Sequence, residues 1–185
     1  MKYATLLLAA LLGLSQCHKK DQGPAPAPES LLPPATQTGA NTFGCLLNGQ
    51  PWTPSGFNGT SNYSVSYDPT YNGGTFDLRT YRYPSGNQNS DKDQQYIILY
   101  ARGLTQIGTH DLANDNKVNS TATLNDRKSG CDYHDRYPQF YRRGSLMITR
   151  LDLQAGIISG TFDFTLYKPG CDTIKITNGR FDKKL

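Results

Sequence analysis

From Ile158 to Leu166 the chain alternates without a break. Ile158, Gly160, Phe162, Phe164 and Leu166 share one side, and Ser159, Thr161, Asp163 and Thr165 share the other. Successive side chains of a strand point to opposite faces, so this period of two specifies a β-strand with one apolar and one polar face. Ser145–Leu151 precedes it across a five-residue loop, Asp152 to Gly156, and reads as another strand. Ile174 and Ile176, set against Lys175 and Thr177, continue the pattern in a last strand. Strands of this kind need hydrogen-bonded neighbours and an opposing apolar layer, which confines the chain to sheet architectures.

The upstream sequence supplies the neighbours. Asn48-Gly49 lies between apolar flanks, and a type I′ hairpin needs positive φ at both central residues. Tyr63, Val65 and Tyr67 alternate with polar residues, as do Phe76, Leu78 and Thr80. Gln95 to Leu104 is apolar at nearly every position, which predicts burial on both faces or cover by loops. Ile107–Leu112 and Lys117–Leu124 are shorter strand candidates. The chain has 12 tyrosines and 18 glycines in 185 residues, and no long helical period appears. These features predict a single antiparallel all-β domain of about nine or ten strands, barrel-like or a two-sheet sandwich, with first and last strands adjacent. Gly160 and Gly179 are expected to mark bulges or tight bends.

The N-terminus has a different character. Lys2 precedes an apolar run from Tyr3 to Leu14, and the tetrad Leu14-Ser15-Gln16-Cys17 is followed by His18, Lys19 and Lys20. The run is shorter than the about 20 residues of a spanning helix and has the n- and h-regions of a signal peptide. A cysteine closes it, as in a bacterial lipoprotein precursor, although Gln16 departs from the small residue usual before such a cysteine. Residues 1–16 are therefore read as a lipoprotein signal peptide, with Cys17 as the lipidated N-terminus of the mature chain. His18 stands where an aspartate would signal inner-membrane retention, which favours the outer membrane. Residues 17–41 form the anchor and a linker rich in Pro, Ala and Ser. Proline fixes φ and removes donors, so this linker is expected to be a semi-extended spacer before an all-β domain at residues 42–185.

Two stretches resemble a family of lipid-anchored proteins of Gram-negative bacteria whose function is uncharacterised. The first is the opening hairpin, Phe43-Gly44-Cys45 with Asn48-Gly49. The second is the close of the chain, Ser159-Gly160-Thr161-Phe162, then Asp172-Thr173 and Thr177 to Asp182. These motifs bracket residues 42–183, whereas residues 55–140 match only in strand rhythm. The resemblance implies an all-β lipoprotein domain and brings no catalytic residue. Its recurring residues read as fold determinants, with Arg180-Phe181-Asp182 clamping the end of the last strand.

Chemistry is sparser. With Cys17 lipidated, Cys45, Cys131 and Cys171 remain, and an exported chain can form one bridge from them. Cys131–Cys171 is favoured because both lie in loop-like Gly-Cys-Asp contexts; Cys45–Cys131 is the runner-up. Cys131 and His134, with Cys171 and His110, have weak zinc spacing, but no second close ligand pair supports a site. Asp111 to Asn116 is oxygen-rich yet lacks the layout of a calcium loop. No metal site and no cofactor is expected.

There is no G-x-S-x-G and no H-E-x-x-H, and His110 and His134 stand apart, so no catalytic residue is assigned. A net charge of +4, scattered along the chain, gives no basic stripe for nucleic acid. Tyrosines are the best binding clue, because aromatic faces beside hydrogen-bonding groups suit sugars, peptides or small amphiphiles. Tyr81, Tyr83, Tyr133, Tyr137, Tyr141 and Arg142 are the candidates, although tyrosine also suits half-buried strands. The expectation is a non-catalytic, lipid-anchored binding or structural module. The alternatives are a barrel carrying a small apolar or sugar ligand, and an envelope hydrolase with dispersed residues.

Overall fold

The fold comes from a computed structural model, which describes residues 26–86, 91–113, 120–134, 136 and 139–185. Cys17, Tyr137 and Asn114 to Asn116 lie outside the described residues. Eleven strands appear among them: β1 (Thr42–Leu47), β2 (Gln50–Trp52), β3 (Tyr63–Asp68), β4 (Thr75–Arg82), β5 (Gln95–Arg102), β6 (Gly108–Asp111), β7 (Ser120–Asp126), β8 (Cys131–Tyr133), β9 (Tyr141–Asp152), β10 (Ile157–Tyr167) and β11 (Ile174–Lys184).

They form two antiparallel sheets, ordered β2-β1-β11-β10-β9-β6 and β3-β4-β5-β7-β8. The two layers make a sandwich and not a closed barrel. The first and last strands are neighbours, as β1 pairs with β11. Asn48 and Gly49 both have positive φ, 49° and 80°, and join β1 to β2 as the hairpin signal requires. The count exceeds the expected nine or ten because β2 and β8 are only three residues each.

The core lies between the sheets. Trp52, Phe76, Leu78, Leu99, Leu146 and Phe164 are fully buried there. Burying each such side chain contributes roughly 1.5–3 kcal/mol. β5 corrects one expectation: only Ile97, Leu99 and Ala101 are buried, while Tyr96, Ile98 and Tyr100 are half-buried on the outer face. An apolar run here means one covered face and one half-covered face.

The closing motifs interlock across β10 and β11. Gly160 pairs with Phe181, and Phe162 pairs with Gly179. A Cβ on Gly160 would lie 2.3 Å from the Met147 carbonyl oxygen and 2.7 Å from the Phe181 ring. A Cβ on Gly179 would lie 2.4 Å from the Phe162 ring. Each glycine thus makes room for the opposite phenylalanine, and the register shifts beside both.

One disulfide, Cys131–Cys171, ties β8 of the five-stranded sheet to the β10–β11 loop of the other, with Cα atoms 6.0 Å apart. Beside it the Tyr133 hydroxyl donates to the Asp172 carbonyl at 2.5 Å. Cys45 is the buried free thiol.

Candidate functional site

The candidate surface is the outer face of the six-stranded sheet, part of which the N-terminal segment covers. A 3-10 turn at Pro28–Leu31 leads into an extended strap that lies on the sheet. Leu32 is buried, and Pro33 sits so close over Gly44 that a Cβ there would meet its ring at 2.7 Å. The spacer expectation therefore gives way over Leu32 to Ala40, which is packed onto the domain. Linker composition hid this because the strap uses one apolar anchor and its backbone, not a periodic face.

Asp182 fastens the strap. One carboxylate oxygen accepts from the Thr36 hydroxyl at 2.7 Å, the Thr38 N–H at 2.9 Å and the Ala40 N–H at 3.0 Å. The other accepts from the Gly39 N–H at 2.9 Å and the Ser159 hydroxyl at 2.7 Å. Burial works to raise the pKa of this carboxyl, but its donors, led by the Ala40 N–H and the Thr36 and Ser159 hydroxyls, hold it well below the usual carboxylate range. Arg180 adds an ion pair to Glu29 at 3.0 Å, and Arg150 donates to the Gln37 carbonyl. The closing Arg-Phe-Asp thus clamps the incoming chain: Arg180 and Asp182 point outward to the strap and Phe181 inward to the core.

The strap covers only part of this face. The rest is open and strand register orders its side chains into rows. Tyr141 of β9 pairs with Tyr167 of β10, and both are more than 40% exposed. The next row runs from Arg143 through Thr165 to Lys175 of β11. Then comes Ser145, donating to Asp163 at 2.8 Å, and then exposed Met147 beside Thr161 and Arg180. Between strap and open face lies a groove of about 490 Å³, lined among others by Glu29, Met147, Thr161, Asp163, Asn178 and Arg180. Its lining is mixed: Ala35, Met147 and Phe162 supply apolar surface, and the Arg180–Glu29 ion pair, Asp163 and Asn178 supply groups that can hydrogen-bond a ligand.

Of the tyrosine candidates, Tyr141 belongs to this face. Tyr81, Tyr83, Tyr133 and Arg142 are buried, and none offers a surface to a ligand. The Tyr81 hydroxyl lies 2.8 Å from Asn58 Oδ1 and 2.7 Å from the Thr60 carbonyl, pinning the segment before β3. Tyr83 packs edge-on against Tyr81 and accepts from Gln94 at 3.3 Å. Arg142 donates to the Leu112 carbonyl and to those of Ala113 and Ser120, which holds the ends of the β6–β7 connection together. Apart from the buried Tyr81–Tyr83 pair, the structure does not bring these candidates together.

The zinc spacing leads nowhere, because the disulfide uses the thiols of Cys131 and Cys171. Among the described residues no group of three or more His, Cys, Asp or Glu side chains is placed to hold a metal ion. His110 is partly buried on edge strand β6, and burial lowers its pKa. His134 Nδ1 accepts the Arg136 N–H at 3.3 Å.

Sequence reasoning missed Tyr167 as the partner of Tyr141, Lys175 in the adjoining row of the same face, and Glu29 as partner of Arg180. The signal existed for the first two: both fall on the polar face of the alternating pattern that identifies β10 and β11. No protein-family model, curated protein or solved structure matches the chain.

Proposed function

We propose that this protein is a non-catalytic β-sandwich module of the bacterial cell envelope, held through lipid on Cys17 to the outer membrane. It belongs with the uncharacterised envelope lipoproteins that its opening and closing motifs resemble. The observation that supports this reading most is the Asp182 latch. The segment leading from Cys17 into the domain is fastened to the sheet by four hydrogen bonds of 3.0 Å or less to Asp182, whose carboxylate Ser159 of the sheet holds in place. A chain that ties down the segment behind its anchor suits a protein whose N-terminus is its point of attachment. The polar groups that sequence reasoning offered for ligand contact, Tyr81, Tyr133 and Arg142, are spent on holding the fold. That gives these three residues a structural role and leaves the open outer face of the six-stranded sheet as the surface for binding.

The groove beside Arg180 favours binding as the module's work, with a sugar or peptide as the fitting ligand. Metabolic labelling with an alkyne fatty acid tests the anchor. Label on the wild-type chain and none on Cys17→Ala supports the reading; unlabelled wild type contradicts it.

A further inference from the structure

We infer that the open half of the six-stranded sheet's outer face is a membrane-contact surface, which lays the domain against anionic lipid head groups. The inference rests on the proposed lipidation of Cys17 and deepens it, since it states which face meets the bilayer.

The first ground is where the chain leaves the domain. The strap runs over this face, and its first fixed contact is Glu29 with outward-pointing Arg180. The described chain begins at residue 26, so the segment that leads from Cys17 meets the domain near Pro28, well before the start of β1. From Cys17 to Pro28 it can extend to about 36–40 Å at 3.3–3.6 Å per residue. Tyr167 lies six residues along β10 from Thr161, the neighbour of Arg180, or about 20 Å away. The whole open face is thus within reach of a bilayer that holds Cys17, and the opposite sheet is one sandwich thickness further off. Tethering of this length raises the effective concentration of lipid at the near face without any new contact.

The second ground is what the face carries. Tyr141 and Tyr167 sit side by side, both exposed, with Arg143 and Lys175 exposed in the adjoining row. Tyrosine rings with a wet tip, and long basic side chains with apolar stems, are the residues that settle at the head-group level. Basic groups there are drawn to anionic lipid. The acidic members of the face, Asp163 and, on β6, Asp111, lie on the strap side of this row, and Asp163 is engaged by Ser145. Contact is therefore assigned to the Tyr141–Tyr167 end.

The test uses the full lipidated chain in vesicles of phosphatidylethanolamine with one-third phosphatidylglycerol, some carrying a head-group quencher. Cys45 is buried, with its thiol pushed up to about 12 by burial, and the other two cysteines are bridged. A fluorophore therefore goes selectively onto Thr165→Cys or, on the outer face of the other sheet, onto Ser64→Cys. The Thr165 label should be quenched several-fold more strongly than the Ser64 label. Adding R143E and K175E, both exposed changes, should lower the Thr165 signal towards the Ser64 level while the protein stays on the vesicles. Equal quenching at both sites on anchored protein, or stronger quenching at Ser64, overturns the surface assignment and leaves the anchor standing. Protein that fails to stay on vesicles overturns both.

Discussion

Asp182, three residues before the last residue Leu185, accepts the backbone N–H of Ala40 at 3.0 Å across 142 positions of sequence. With its other donors it turns what composition marks as a linker into part of the domain. Replacing it by alanine strands several donors at once, which costs roughly 3 kcal/mol or more. Asp182→Ala should therefore lower the midpoint of urea unfolding. It should also expose the strap between Leu32 and Ala40 to proteolysis before the sandwich itself is cut.

The latch is acid-sensitive, with a defined sign. In the folded chain the Asp182 carboxyl is held well below its ordinary value, whereas unfolded it titrates near an ordinary aspartate, about 3.9. The unfolded chain then binds more protons, so stability from this group is fully present above about pH 4 and is lost as pH falls towards the folded value. Denaturation followed from neutral pH down to about pH 3 should show wild type losing stability faster than Asp182→Asn. Parallel curves would place the acid response elsewhere.

The paired glycines leave little latitude. Alanine at 160 must move the Met147 carbonyl or the Phe181 ring, and alanine at 179 must displace Phe162. Overpacking of this kind costs about 1–3 kcal/mol, and backbone atoms yield less than side chains. Gly160→Ala should lose more stability than Gly156→Ser in the neighbouring turn, read as a shift in thermal midpoint.

Much of the fold was legible because one-sided strands announce themselves. The β10 alternation and the Asn48-Gly49 turn each rest on a local rule and are present in the structure, and the Cys131–Cys171 bridge forms as expected, although only Cys171 lies in a loop and Cys131 opens strand β8. What was not legible depends on contact between distant segments. Two sheets or one barrel is a question of closure, which no strand records. Tyr81, Tyr83 and Tyr133 look like surface aromatics until Asn58, Gln94 and Asp172 arrive to satisfy their hydroxyls. The strap is hidden most deeply, because its partner lies at the far end of the chain.

The disulfide closes a loop of 40 residues between sheets, which by loop entropy stabilises the fold by about 4 kcal/mol. Cys131→Ser with Cys171→Ser should lower the unfolding midpoint and leave the far-UV spectrum of the folded state unchanged. In wild type under non-reducing, native conditions, thiol reagents should leave Cys45 untouched until the protein unfolds, because burial keeps it protonated.

The central claim is that Cys17 carries the anchor from which this domain is held. Intact-mass analysis of the chain recovered from the membrane fraction tests it most directly, with Cys17→Ala beside it. The expected species begins at Cys17, carries acyl chains and sediments with membranes, while Cys17→Ala is recovered as unprocessed or soluble protein. A wild-type chain that keeps residues 1–16 without lipid, or partitions like the variant, contradicts the account.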